Sequence, residues 1–182
     1  MEDKVRHEVI MTGVGGMGIQ LAGMLLAQAA RPAYKYVSWC PLYTTAMRMG
    51  ACECTVILSN ERIASPLKSY VGEMMVLEAS QMEPFIGRVL PGGLVIAESA
   101  GLAGGIPRDD VTGFIVPAVE TALSLGNRQV SNLVLLGAYV GLSKAITPEL
   151  MEQELERRFA HRAAMLALNK RAFEKGLELA GS

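Results

Sequence analysis

Residues 11–19 read Met11-Thr12-Gly13-Val14-Gly15-Gly16-Met17-Gly18-Ile19, with four glycines inside six positions. A short apolar run precedes them and a segment of helical periodicity follows. Gly13, Gly15 and Gly18 fit the G-x-G-x-x-G spacing of a strand that turns tightly into a helix. The glycines of such a turn serve separate needs. One allows a backbone turn that a Cβ would block, one allows close approach of a ligand or another backbone, and one allows tight packing of helix on strand. The helix N-terminus such a turn creates is suited to an anion. The segment therefore sets the start of a Rossmann-like α/β fold, without naming the ligand.

The chain beyond continues the alternation. His7–Thr12 reads as the first strand, and Gly18–Ala30 as a helix with Ile19, Ala22, Leu25, Leu26 and Ala29 on one face. Gly23 inside that helix points to close packing on the sheet. A second strand, Tyr36–Cys40, closes at Pro41, and a loop or short helix over 42–50 leads to a strand at Cys54–Ser59. Residues 60–69 form a surface connection and Glu73–Glu78 a core strand. Gln81–Leu90 reads as a helix with Pro84 in its first turn. After a turn at Pro91-Gly92-Gly93 come strand Leu94–Ala97, a glycine-rich loop to Asp110, strand Thr112–Val116, and a helix from Pro117 to Leu125. The alternation implies right-handed crossovers and a mainly parallel, doubly wound sheet. The last third changes character. Asn132–Ala145 is nearly all apolar, Thr147-Pro148 opens a helix reaching Phe159, and an amphipathic helix spans Arg162–Leu179. This gives a helical C-terminal layer and one domain over residues 1–182.

Apolar residues make up 51% of the chain and charged ones 19%. That balance fits a doubly covered sheet or a subunit with much of its surface hidden in a complex. A net charge of −1 without basic blocks argues against nucleic acid and anionic membranes as partners. The charged N-terminus and the lack of a span of about 20 apolar residues point to a cytoplasmic protein. Three cysteines, Cys40, Cys52 and Cys54, offer neither a disulfide framework nor zinc or cluster spacing. Positions 52 and 54 share a strand face and read as small buried apolar residues.

Catalytic constellations are missing. His7 and His161 are the only imidazoles, and neither stands in a recognisable arrangement with Ser or Cys. His7 reads as a solvated or satisfied residue. The acidic run Glu152–Glu156 reads as a solvated helix face. No carboxylate stands between Glu8 and Glu53, whereas a nicotinamide or flavin dinucleotide site wants one at the end of strand two for the ribose hydroxyls. Arg48, between Met47 and Met49 and followed by Gly50, reads either as a ligand or intersubunit contact or as an ordinary exposed arginine.

Taken in order, Gly13-Val14-Gly15-Gly16-Met17-Gly18, Arg48-Met49-Gly50, Thr55–Ser59, Val116-Pro117-Ala118, Leu125-Gly126-Asn127, Asn132–Ala138 and Asn169–Gly176 resemble the gamma subunit, or gamma domain, of 2-oxoacid:ferredoxin oxidoreductases. Nearly the whole chain takes part. The resemblance implies a Rossmann-like fold and an enzyme converting a 2-oxoacid, such as 2-oxoglutarate or pyruvate, to an acyl-CoA with ferredoxin reduction. It implies alpha, beta and ferredoxin-like delta partners. Thiamine diphosphate, magnesium, iron–sulfur clusters and CoA belong to the complex, with no cofactor held by this chain alone. The gamma part serves assembly and the CoA side, so Gly13, Gly15, Gly16, Met17, Gly18, Arg48 and Gly50 become candidate CoA or subunit contacts. Two departures stand out: Met17 replaces the usual Gln, and Arg48-Met49-Gly50 the usual Arg-Gly-Gly. Two other functions fit parts of the chain: a stand-alone dinucleotide-dependent oxidoreductase, from the glycine spacing, and a self-associating binding protein that has lost the chemistry. A homodimer of the isolated chain is an option under either.

Overall fold

The computed structural model describes residues 5–42 and 50–181. Six strands form one sheet: β1 (Arg6–Val14), β2 (Tyr36–Leu42), β3 (Ala51–Ser59), β4 (Val71–Val76), β5 (Val89–Glu98) and β6 (Thr112–Val116). Their order is β2-β3-β1-β4-β5-β6. β1, β4, β5 and β6 are parallel neighbours, while β3 runs antiparallel to both β1 and β2. The mainly parallel sheet holds, with β3 as its one reversal. The cause is connection length. A parallel crossover takes a dozen or more residues, and only residues 43–50 separate β2 from β3.

The helices are α1 (Ile19–Ala30), α2 (Met82–Ile86), α3 (Ala118–Ser124), α4 (Ser131–Ser143), α5 (Pro148–Phe159) and α6 (Ala163–Ala180). The winding is uneven. α1 and α3 to α6 share one core with Val9, Met11, Cys54, Val56 and Leu58 on one sheet face. The five-residue α2 and the loop after β5 pack over Ile10, Met74, Val76 and Val95 on the other. A helix over 81–90 is therefore not formed. A 3-10 turn at Ala79–Gln81 precedes α2, and Val89 already belongs to β5, held by pairing with Val71. The expected turn at 91–93 is a register shift inside that pairing, between Val71 opposite Val89 and Glu73 opposite Leu94. Pro41 lies within β2 rather than after it. β2 is an edge strand, where a missing N–H can face outward.

α4 is buried along nearly its whole length and crosses α6 at two glycines. A Cβ on Gly137 would overlap the Phe173 carbonyl oxygen, and one on Gly176 the Val134 carbonyl oxygen. At Gly23 a side chain would overlap the Cys54 sulfur, which bears out the close packing expected there. Cys52 and Cys54 are buried on the same face, as the alternation predicts. Burial pushes the Cys54 thiol up to about 12, and the thiol donates to the Ile19 carbonyl. Cys54 is thus expected to resist iodoacetamide at pH 8 in the folded protein and to react fully in denaturant. Mass spectrometry of labelled peptides reads this directly; rapid native labelling at Cys54 would contradict it.

His7 is satisfied. Its Nδ1 lies 2.7 Å from Glu73 Oε1, and the Tyr139 hydroxyl donates to Glu73 Oε2 at 2.6 Å. The acidic stretch of α5 departs from a purely solvated face. Glu154 is buried and receives two hydrogen bonds from Arg157, at 2.7 and 2.8 Å, whereas Glu156 is exposed. No helix among the described residues is long and apolar enough to cross a membrane.

Candidate functional site

β1 and β4 are parallel neighbours whose continuations leave on opposite faces: α1 joins the larger core and α2 the smaller. Such a divergence opens a crevice beyond the carboxyl ends of the two strands, the usual ligand position in open α/β sheets. The glycine turn stands there. Val14 ends β1, Gly15 and Gly16 form the turn, and Gly18 caps α1 in the left-handed region with φ of 75°. Gly16 is left-handed as well, at 91°.

Two cavities flank the turn. The first, about 370 Å³, lies between Val14–Met17, Glu78 after β4, and Arg128, Gln129 and Ser131 at the entry to α4. Two helix N-termini border it, those of α1 and α4, and the cap residue of neither supplies a side-chain hydrogen bond. The first N–H groups of a helix lack intrahelical acceptors and carry the positive end of its dipole. At α4 the Ser131 and Leu133 N–H groups are already taken by the Arg128 carbonyl and Asn132 Oδ1, so the α1 terminus is the better placed for an anion in this crevice. Arg128 adds a formal positive charge and Glu78 a formal negative one within the same lining, so the side chains there nearly balance and the preference for an anion rests on the backbone N–H groups of the turn. The second cavity, about 540 Å³, begins at Gly16 and Gly18 and runs between α1, α4 and the start of α6.

The site residues expected from the sequence divide as follows. Gly15, Gly16 and Met17 line the first cavity; Gly16 and Gly18 line the second. Gly13 lines neither, being paired with Cys52 inside β1, where a Cβ would lie 2.8 Å from Ile19 Cδ1. It serves the packing of α1 on the strand. Met17 also packs on the larger core, so it belongs to wall and interior together. Gly50 is joined to the turn: its carbonyl accepts the Gly15 N–H at 3.2 Å. Arg48 and Met49 lie outside the described residues. Among the described residues no group of three His, Cys, Asp or Glu side chains could hold a metal ion.

Sequence reasoning missed Glu78, Arg128, Gln129 and Ser131 as neighbours of the turn. Nothing local marks them, because only the tertiary fold carries the entry of α4 to the end of β1. Asn132 had a visible signal as the first residue of a buried helix. Its Nδ2 donates to the Gly18 carbonyl at 3.1 Å, and its Oδ1 accepts the Leu133 N–H at 2.9 Å. It thereby fastens α4 to the turn. Asn132→Leu is expected to cost about 1 kcal/mol through the lost hydrogen bonds, measured by urea denaturation. An unchanged midpoint would remove Asn132 from that role.

The sequence matches the pyruvate ferredoxin/flavodoxin oxidoreductase family over residues 8–179. Ketoisovalerate oxidoreductase subunit VorA of Methanothermobacter thermautotrophicus is 31% identical over 175 residues, covering 94% of this chain and 36% of VorA. The chain thus spans about a third of the length of that curated relative. Among solved structures, the gamma subunit of a keto/oxoacid ferredoxin oxidoreductase from Geobacter sulfurreducens is 27% identical with a TM-score of 0.82, covering 96% of this chain and 98% of that one. The 2-oxoglutarate:ferredoxin oxidoreductase of Magnetococcus marinus, solved with 2-oxoglutarate, coenzyme A and succinyl-CoA bound, shares the fold at 23% identity and a TM-score of 0.88. It covers 98% of this chain and 32% of its own. With a match from residue 8 to residue 179, the chain belongs to the pyruvate ferredoxin/flavodoxin oxidoreductase family.

Proposed function

We propose that residues 1–182 act as one gamma-type domain of a cytoplasmic 2-oxoacid:ferredoxin oxidoreductase, contributing assembly contacts and the CoA side of the reaction. The observation that carries this is the end-to-end likeness to a separate gamma subunit, 98% of whose chain is covered. The longer relatives, of which this chain covers about a third, support a larger oxidoreductase in which this domain is completed by other parts. Alpha, beta and ferredoxin-like delta chains fill that role in this reading. Thiamine diphosphate, magnesium and the iron–sulfur clusters reside in those partners. The reaction is oxidative decarboxylation of a 2-oxoacid to its acyl-CoA, with ferredoxin taking the electrons.

In this reading the crevice between β1 and β4 receives the phosphates of CoA. Gly15, Gly16 and Met17 line it, Gly18 and Gly50 adjoin it through the turn, Arg128 supplies charge, and Arg48 is a candidate CoA contact on the family resemblance alone. Arg128→Ala and Arg48→Ala are each expected to raise KM for CoA about tenfold with kcat little changed, the signature of a lost charge-assisted contact made equally in ground and transition states. Steady-state kinetics of the assembled enzyme with varied CoA reads this. An unchanged KM in both variants would confine the glycine turn to assembly.

The complex itself is tested by purifying the tagged chain from its native host and assaying CoA-dependent reduction of ferredoxin by 2-oxoacids. Copurification of larger oxidoreductase chains with that activity is the expected result; a chain recovered alone and inactive overturns the proposal and favours a self-associating binding protein. A dinucleotide-dependent oxidoreductase is favoured only by the glycine spacing at the strand divergence. β2 carries no carboxylate for a ribose. Micromolar binding of NAD(H), NADP(H) or FAD by calorimetry would reinstate it.

A further inference from the structure

The second cavity has a chemistry different from its neighbour. Leu21, Leu133, Phe159, Met165 and Leu168 give it apolar walls, and no charged side chain lines it. Asn169, on α6, is 5% exposed, lines the cavity, and makes no side-chain hydrogen bond among the described residues. A side-chain amide so nearly buried and without a protein partner calls for an explanation. Its amide is not wholly enclosed, and the cavity that Asn169 lines is the space from which a ligand or solvent reaches it. Asn127 stands in the same lining. Its Oδ1 is taken by the Gln129 N–H at 2.9 Å, which leaves its Nδ2 donors free.

These features restrict the ligand. A phosphate or carboxylate finds no cation here. An acyl chain would leave the Asn169 amide unpaired in apolar surroundings, where polar groups are penalised. A flat, neutral group with a donor and an acceptor side by side satisfies both walls and amide. Adenine presents that pair, and a carboxamide binds it in a bidentate manner. At about 540 Å³ the cavity has the size of a small-molecule pocket.

We propose that this cavity is a slot for a neutral heteroaromatic base of the adenine class, with Asn169 reading its hydrogen-bonding edge. The proposal rests on the CoA reading only for the identity of the full ligand. The slot and the anion-favouring crevice share Gly16 and Gln129, so one molecule could place its base in the first and its phosphates in the second. Three asparagines border the slot: Asn127 and Asn132, at the entry to α4, and Asn169, brought to them from α6 by the fold.

The test is calorimetry on the full chain with adenosine, inosine, pantetheine and CoA, on the wild type and on Asn169→Leu. Adenosine is expected to bind more tightly than inosine, which lacks the 6-amino donor, and Asn169→Leu to weaken adenosine at least about fivefold. The variant removes an unpaired buried amide, so its melting temperature is expected to hold or rise. This separates loss of binding from loss of fold. Binding of CoA and pantetheine without adenosine overturns the slot and leaves the CoA reading standing. Binding of adenosine without CoA does the reverse. If Asn169→Leu leaves adenosine untouched but prevents assembly with the partner chains, the cavity receives a protein side chain and the proposal fails.

Discussion

Gly176→Ala is expected to lower stability by roughly 3 kcal/mol, moving the melting temperature down by about 10 °C for a chain of this length. Helix propensity alone gives the opposite sign, because alanine in a helix interior is favoured over glycine by about 1 kcal/mol. Packing decides the outcome. The added methyl would overlap the Val134 carbonyl oxygen and lie 2.8 Å from the Ala138 nitrogen. Main chain cannot rotate away as a side-chain tip can, so α4 and α6 must separate. Overpacking usually costs about 1–3 kcal/mol, and contact with backbone belongs at the upper end of that range. Gly137→Ala meets the Phe173 carbonyl and should behave alike. Gly141→Ala meets only the Ala180 methyl, at 2.7 Å, and should lose less. Chemical denaturation of the three variants reads the order. Equal or raised stability in Gly176→Ala would mean that the two helices do not cross as described.

Gly18→Ala is expected to remove about 2–3 kcal/mol and, with it, the shape of the crevice. Two costs act together there. Its φ of 75° places a non-glycine residue in the left-handed region, at about 1–2 kcal/mol. A Cβ would also overlap Asn132 Nδ2 and break its hydrogen bond to the Gly18 carbonyl, about 1 kcal/mol more. Gly16→Ala separates the two terms. Its φ of 91° carries the same strain, but nothing lies within 4 Å of the added atom. The difference between the two variants in urea denaturation therefore measures the Asn132 contact. On the proposed CoA reading, Gly18→Ala should also lower kcat/KM for CoA more than Gly16→Ala does. Equal effects in both assays would discount the fastening of α4 to the turn.

What was legible in the sequence follows how local the cause was. The glycine turn, the close packing at Gly23 and the shared face of Cys52 and Cys54 depend on periodicity within one element and its immediate neighbour. The reversal of β3 depends on the length of chain separating it from β2, and that length was readable, though strand alternation favoured a parallel sheet. The expected helix over 81–90 failed because Val89 finds a strand partner in Val71, a contact between distant segments. Glu154 shows the same limit: it stands in a stretch that also holds Glu152, Glu156 and Arg157, yet the packing of α5 buries it. The crevice was half visible. Its glycines announce themselves, whereas Glu78 and Arg128 reach it through crossovers that no spacing records. Asn127, Asn132 and Asn169 stood in stretches that carried the family resemblance, and only the fold shows that they meet.

The hydrogen bond from the Gly15 N–H to the Gly50 carbonyl involves no side chain. Its persistence is therefore indifferent to which residues occupy positions 17 and 49, provided the backbone path is kept. Sequence drift can change the side chains around Gly50 without unfastening Gly50 from the glycine turn. A lineage could in this way exchange Gln for Met and Gly for Met while inheriting the mechanical link intact.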